Sequence, residues 1–508
     1  MTVATPGQVV IGLDVGTTGV KAVAFGLGSP WRSVSIEEYP LLRPEPHQAV
    51  QDPAAVLSAV TRALADCVDA VASTGAQVLG VALSAAMHGL MALDAERRPI
   101  TPLVSWADGR AGPEALELQH SGRAADLQES TGTPVHPMAP LSKLTWFARH
   151  DPGTWARARW WVGLKEYLLL ALTGTLATEL SSASGTGLLD VWTETWSPLA
   201  LAACGVDRER LAHILPTTAV LPLTRDAASR VGLPAGTPVA VGAADGPLAN
   251  LGTGAVTPGV AGLSLGTSAA VRLAVDGPHP DRSGTLFCYA LADPLWVVGA
   301  AVSNGAEAVR WAGRTFVPNV EAHTDLDTAT LELASTVAPG SDGLVMLPFL
   351  LAERAPLWDP DLAGAYLGLR HDHTRAHLVR AAVEGVCLQV RLIVDRLDTV
   401  FPVSAVRATG GAFRAPLWRD LMAAALDRPL SLVGEAEGTA LGAAALGLVA
   451  FGQTPSLGDA LATLTRSDDR GLAPVEPSDE LVDAFTHLRS RLPRLLASLN
   501  RVADPDPG

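Results

Sequence analysis

Two segments of this chain, 250 positions apart, carry the same pattern, and no other feature limits the fold as strongly. Leu13–Phe25 reads LDVGTTGVKAVAF and Leu263–Val275 reads LSLGTSAAVRLAV. Leu13 answers Leu263, Gly16 answers Gly266, Thr17 answers Thr267 and Ala24 answers Ala274. Asp14 faces Ser264 in this comparison, and Thr18 faces Ser268. Val9–Leu13 and Val20–Phe25 are expected as strands, and the Gly16–Gly19 segment as the tight turn joining them. Internal repetition of this kind predicts two related domains, each opening with a hairpin whose turn is rich in Gly and Thr. A cleft with one such turn on each wall would suit a phosphate chain.

The segments around the first hairpin alternate strand and helix. Asp52-Pro53 starts a helix, with Asp at the N-cap and Pro in the first turn. Val56, Leu57, Val60, Leu64, Cys67, Val68 and Val71 mark its apolar face. Val78–Ser84 is a further strand, ending in the Ala86-Met87-His88-Gly89 loop. This order predicts α/β architecture. Later, Leu378–Leu397 reads as a long helix. Val403–Ala408 is a strand leading into Thr409-Gly410-Gly411-Ala412, and Pro416–Ala425 is a helix. Asp479–Val502 is expected as a helix broken at Pro493, with a disordered tail after it.

Composition excludes several classes. The chain has 508 residues, 48% hydrophobic and 18% charged, which rules out disorder over most of its length. A net charge of −15 argues against nucleic acid or an anionic membrane as partner. The N-terminus lacks the features of a signal peptide, and the apolar run Gly438–Gly452 is too short for a membrane span. Cys67, Cys204, Cys288 and Cys387 form no CxxC motif, and thiols this sparse suggest a reducing, cytoplasmic setting.

Several residues have the chemistry of a site. Asp14 sits at a strand end beside Gly16, Thr17, Thr18 and Gly19. A carboxylate suits Mg²⁺, while hydroxyls and open backbone N–H groups suit phosphate; the plainer reading is an Asp that caps its own turn. Asp245 follows the apolar run Pro238–Val241 between small residues, and could take a proton from a bound hydroxyl or simply serve a turn. Gly262-Leu-Ser264-Leu-Gly266 matches the G-x-S-x-G of serine hydrolases, but that elbow needs a helix after the serine, and a strand is expected here. His371-Asp-His373 reads as a solvated turn rather than a metal pair. Only Lys21, Lys143 and Lys165 are lysines, against 34 arginines, so Lys stands where a compact point charge is preferred or by chance alone.

Together these residues resemble the FGGY family of carbohydrate kinases, within the actin, sugar kinase and Hsp70 superfamily. Met138-Ala-Pro-Leu-Ser-Lys143-Leu-Thr-Trp146-Phe-Ala-Arg-His150 is similar to the first family signature. Gly364-Ala-Tyr-Leu-Gly368-Leu369 through His377-Leu-Val-Arg-Ala-Ala-Val-Glu384 is similar to the second. Within the family the chain is most similar to gluconate kinases, in Thr131–Met138, in Pro348–Trp358 and in Ser84-Ala-Ala-Met87-His88. Xylulose kinases usually carry Gln where Ala86 stands.

The resemblance implies two ribonuclease-H-like α/β domains flanking a catalytic cleft: 1–250 on the sugar and metal side, 251–455 on the nucleotide side, then a helical extension and tail at 456–508. It implies transfer of the γ-phosphoryl of ATP, with Mg²⁺, to a small-molecule sugar or sugar acid, with gluconate giving 6-phosphogluconate. A pentulose kinase, xylulose kinase among them, is the alternative, and a non-catalytic nucleotide-binding protein of this fold a distant one. Asp245 would be the base and Asp14 the metal ligand, both carboxylates lying at the metal. Gly16, Thr17, Thr18, Lys21, Gly266, Thr267, Ser268, Asn304, Gly305, Gly410 and Gly411 would serve the nucleotide. Met87, His88, Trp106 and Asp108 would serve the sugar, and Arg110, Lys143 or Lys165 would meet the gluconate carboxylate. The reading allows a homodimer.

Overall fold

The structure is a computed structural model that describes residues 6–317, 325–351, 353–359, 362–434, 438–465 and 473–503, with side chains to 497. The chain forms two compact units. The first comprises Met1–Val256, Ala274–Val298 and Ala436–Asp469; the second comprises Thr257–Leu273, Gly299–Glu435 and Arg470–Gly508.

The first unit is built on a six-stranded sheet of β1 (Gln8–Val15), β2 (Gly19–Gly26), β3 (Arg32–Glu38), β4 (Gln77–Ala85), β5 (Val220–Pro222) and β6 (Pro238–Ala244), in the order β5-β6-β4-β1-β2-β3. β1 runs antiparallel to β2 and parallel to β4, which is parallel to β6. Strand alternation sends Val9, Ile11, Leu13 and Val15 into a core shared with Val56, Val60, Leu64 and Cys67 of the helix Pro53–Ala72. Asp52 caps that helix, accepting from the Ala54 N–H. The intervening β1 positions face the helix Gly438–Ala450, whose small side chains let it lie directly on β1 and β4. Covered on both faces, β1 reads as an unbroken apolar run.

The second unit carries β7 (Val260–Leu265), β8 (Ala269–Asp276), β9 (Ala405–Thr409) and β10 (Leu430–Leu432), ordered β8-β7-β9-β10. β7 is antiparallel to β8 and parallel to β9. That is the pairing of β1 with β2 and β4, so the sequence repeat is a repeat of topology. Ser264 lies inside β7, opposite Ala270 and Thr409, with β8 following the turn. It forms no hydrolase elbow.

Two expectations, both about helices, need correction, and the compact units are discontinuous in the sequence. The helix Gly438–Ala450 packs on β1, β4 and the helix Asp245–Gly252, and the Ala290 N–H donates to Ser184 Oγ, so both inserted segments fold with the first unit. The helix Arg375–Asp398 begins three residues before the expected Leu378, capped by Thr374 and His377. The helix Asp479–Ala503 continues through Pro493. Proline removes one intrahelical bond there, while Phe485, Leu488 and Leu492 stay buried on the face that meets the helix Pro416–Leu426. Of the expected tail, 504–508 lies outside the described residues.

Candidate active site

Three neighbouring parallel strands position the two candidate catalytic acids, Asp14 and Asp245. Asp14 on β1 is opposite Ser84 on β4, which is opposite Ala243 on β6. Asp245 follows two residues later as the first residue of the helix Asp245–Gly252. Both carboxylates therefore stand at the carboxyl ends of the strands, where open α/β sheets bind ligands. Ser84 Oγ donates to Asp14 Oδ1 at 2.8 Å. Asp245 Oδ1 accepts from the N–H groups of Met87 (3.3 Å) and Gly246 (2.8 Å). Burial first, and the Asp245 charge second, push the Asp14 carboxyl up to about 6 against the opposing pull of Ser84, Lys21 and Lys165. Lys21 is the cross-strand partner of Asp14 on β2.

The turn after β1 is held from behind. The Tyr39 hydroxyl donates to the Gly16 carbonyl, Gln51 Nε2 to the Thr17 carbonyl at 2.7 Å, and Trp106 Nε1 to Thr17 Oγ1 at 2.8 Å. The Thr17 and Thr18 N–H groups have no protein acceptor among the described residues. Carbonyls tied back with N–H groups left open make an anion-receiving turn.

The sugar-side residues divide. His88, at φ +66°, bonds the Gly185 carbonyl through Nδ1 at 2.6 Å, and its ring meets Tyr289 edge to face. Met87 lies against Gly185. Ala86, Met87, His88 and Lys165 line one small cavity. Asp108 is different: it is 1% exposed, accepts from the Ala49 N–H, and takes a two-pronged bond from Arg110 at 2.8 Å. Arg110 also lies over the Trp146 ring. This pair holds its own loop, so the geometry does not support Asp108 as a hydroxyl ligand or Arg110 as the cation for a carboxylate.

The same correction applies to both buried lysines. Lys143 Nζ donates to the carbonyls of His88, Ser105 and Met138 at 2.6–2.8 Å, and burial pushes it down to about 7. Lys165 Nζ donates to the carbonyls of Leu83, Val241 and Ala243 at 2.8–3.0 Å and lies 3.7 Å from Glu179. Burial also pushes the Lys165 ammonium down. Each ammonium meets three carbonyls with its three protons, a tetrahedral task that the flat guanidinium fork cannot perform. This accounts for lysine at 143 and 165 in an arginine-rich chain.

In the second unit, Gly266, Thr267 and Ser268 form the turn between β7 and β8. The Gly305 N–H donates to the Thr267 carbonyl and the Ala306 N–H to the Gly266 carbonyl. The Thr267 and Ser268 N–H groups have no protein acceptor among the described residues, as at Thr17 and Thr18. A cavity of about 480 Å³ adjoins, lined by Gly266, Thr267, Arg310, Gly411, Ala412 and Trp418 among others. Gly410, at φ +122°, lets the chain pass where a Cβ would lie 2.1 Å from the Leu265 carbonyl oxygen. Asn304 corrects its expectation. It is 1% exposed; its oxygen accepts from the Leu350 and Leu351 N–H groups, and its nitrogen donates to the Leu351 carbonyl and to Glu353. It fixes the backbone beside the turn and does not itself face the cavity. Glu353, which sequence reasoning left out, is held there with its carboxyl pushed up to about 7 by burial.

Ser84, Gln51 and Tyr39 were also missed as site residues. Only the Ser84 register against Asp14 offered a signal, since strand ends that pair face the same ligand.

Burial and the nearby Asp245 charge raise the proton affinity of Asp14, and a cation beside these two carboxylates would balance their charge. Mg²⁺ takes one or two carboxylates and keeps its waters, so this pair fits it without a larger ligand cluster. No helix among the described residues is long and apolar enough to cross a membrane.

The chain is 34% identical to a gluconokinase of Bacillus subtilis, over 97% of each chain. Its fold is similar to that of a ligand-bound xylulose kinase from Lactobacillus acidophilus (TM-score 0.90, 29% identity, 97% of this chain and 98% of the other). It is equally similar to a gluconate kinase from the same organism (TM-score 0.90, 28% identity, 98% and 99%). Models of the N-terminal and C-terminal domains of FGGY carbohydrate kinases match residues 9–252 and 261–451, and the chain belongs to that family.

Proposed function

We propose that this carbohydrate kinase transfers the γ-phosphoryl of ATP to a hydroxyl of D-gluconate, giving 6-phosphogluconate and ADP. The placement of Asp14 and Asp245 at the carboxyl ends of β1 and β6, on either side of β4, carries the catalytic part of the reading. The near full-length similarity to gluconokinases supports the substrate.

Phosphoryl transfer asks for positioning and charge stabilisation more than covalent chemistry. Asp245 accepts the proton of the attacking hydroxyl, while the Met87 and Gly246 N–H groups hold its Oδ1 in place. Asp14, oriented by Ser84, would hold Mg²⁺ with Asp245, and the cation would neutralise phosphate charge. In the first unit, the Thr17 and Thr18 N–H groups serve phosphate oxygens and the His88 loop serves the acceptor. In the second unit, the Gly266–Ser268 turn and the adjoining cavity serve the nucleotide. Sugar and nucleotide together must exclude water, or ATP would be hydrolysed.

A second reading, a xylulose or other pentulose kinase, has its own support. Arg110, Lys143 and Lys165 are all committed within the protein, which leaves none of them for a substrate carboxylate. An ADP-release assay across gluconate, xylulose, glycerol, ribulose and fuculose separates the two. A gluconate kcat/KM at least tenfold above xylulose is expected; equal values would end the gluconate assignment. Asp245→Ala should lose about 10²–10⁴-fold in kcat.

A further inference from the structure

The strand that delivers Asp245 is irregular just before it does so. Along β6, Ala240 pairs with Ala82 and Ala243 pairs with Ser84, so three steps on β6 cover two on β4. The extra residue is accommodated at Gly242, with φ +73° and the position of a Cβ only 1.7 Å from the Leu83 carbonyl oxygen. Only glycine can occupy that position. A bulge of this kind leaves carbonyls outside the ladder and re-aims the residues that follow.

Two side chains from outside the sheet hold the displaced backbone. The Lys165 ammonium, 2% exposed, collects the carbonyls of Leu83 on β4 and of Val241 and Ala243 on β6. Ser181 Oγ, fully buried, accepts from the N–H of Ala244, the residue before Asp245. The polar atoms of both are engaged with this backbone, although Lys165 also borders the small cavity beside Met87 and His88. Lys165 lies in the helix Leu164–Thr173 and Ser181 in the short helix Leu180–Ser184, whose N-cap is Glu179, the acidic neighbour of Lys165.

We infer that Lys165 and Ser181 are positioning residues for catalysis, which lock the β6 bulge and so fix the direction in which Asp245 meets the acceptor hydroxyl. This rests on the reading of Asp245 as the base. The frame acts on the reacting geometry and not on the uptake of either substrate. Its loss therefore appears in kcat and leaves KM in place, because misplacing a reacting group costs rate without weakening remote binding contacts.

The test is steady-state kinetics of Ser181→Ala, Lys165→Met, Lys165→Arg and Asp245→Asn, each scaled to the concentration of ATP-binding sites measured by calorimetry. Ser181→Ala removes one oxygen and should fold. It should lower kcat about tenfold, with KM for acceptor and ATP within threefold of the parent. Lys165→Met should lower kcat about 100-fold with the same unchanged KM, and Lys165→Arg should recover part of that loss. A Ser181→Ala variant with kcat within twofold of the parent overturns the inference, whether or not the Lys165 variants fold. So does a loss expressed mainly in KM. Asp245→Asn separates this from the functional reading. If it turns over normally, the base assignment fails; if it is inactive while Ser181→Ala is normal, the positioning frame alone fails.

Discussion

Ser84 Oγ reaches across from β4 to Asp14 Oδ1 on β1, at 2.8 Å, and is a neutral donor that favours the ionised carboxylate, against the larger opposing effects of burial and the Asp245 charge. The strand pairing Asp14↔Ser84 makes this contact a consequence of register, so it is as rigid as the sheet. On the proposed reading of Asp14 as a metal ligand, its proton must leave before a cation is held.

Activity should therefore fall on the acid side. With Asp14 pushed up to about 6, kcat/KM is expected to have an acid limb near pH 6, far above that of an ordinary carboxylate. Ser84→Ala removes a contact that favours ionisation, so the limb should move to higher pH. Profiles from pH 5 to 8 in a constant-ionic-strength buffer measure this. A limb that stays put in Ser84→Ala would mean that another group controls it.

Asp14→Asn should trade activity for stability. The folded carboxyl binds its proton more tightly than the unfolded one, at about 6 against 3.8. Ionised Asp14 thus costs stability above pH 6, and the cost disappears as pH falls through 6 towards 4. Asn keeps an oxygen for Ser84 and carries no charge. At pH 7.5 it should raise stability by roughly 2 kcal/mol while lowering kcat at least about 10²-fold. Denaturant melts alongside the ADP assay show both; a variant that is less stable than the parent contradicts the argument.

Lys143→Met should act on the acceptor side. The ammonium ties the His88, Ser105 and Met138 carbonyls, which belong to three separate loops. Removing it leaves buried carbonyls unpaired, at about 1–3 kcal/mol for each. We expect a lower Tm and a KM for the sugar raised at least fivefold, with KM for ATP unchanged. Equal rises in both KM values would point to general unfolding.

Asn304→Ala should act on the nucleotide side alone. Asn304 locks Leu350, Leu351 and Glu353 against the chain that leads into Gly305, and Gly305 donates to the Thr267 carbonyl of the turn proposed to receive the nucleotide phosphates. Calorimetric ATP titration should show binding weakened about tenfold, with acceptor KM within twofold. Unchanged ATP affinity would remove Asn304 from the architecture of that turn.

The sequence by itself determined the local elements and the duplication. The Leu13–Phe25 and Leu263–Val275 repeat predicted two hairpins, and both pair with a later parallel strand because the same apolar run must be covered on both faces. Asp52-Pro53 marked a helix start, since the cap is a contact between residues two apart. Asp14 and Asp245 were legible because each ends an apolar strand with small residues around it. Tertiary structure alone decided what the long polar side chains do. Lys165 and Lys143 have the charge of substrate ligands, yet each is used up on carbonyls from distant segments, and Asp108 with Arg110 closes on itself. Such groups bond whatever the fold brings within reach once water is removed, and that choice depends on strand register, on the Gly242 bulge and on loops far apart in the chain. The return of the helix Gly438–Ala450 to the first sheet is of the same kind: its small side chains permit close packing but do not name the surface it covers.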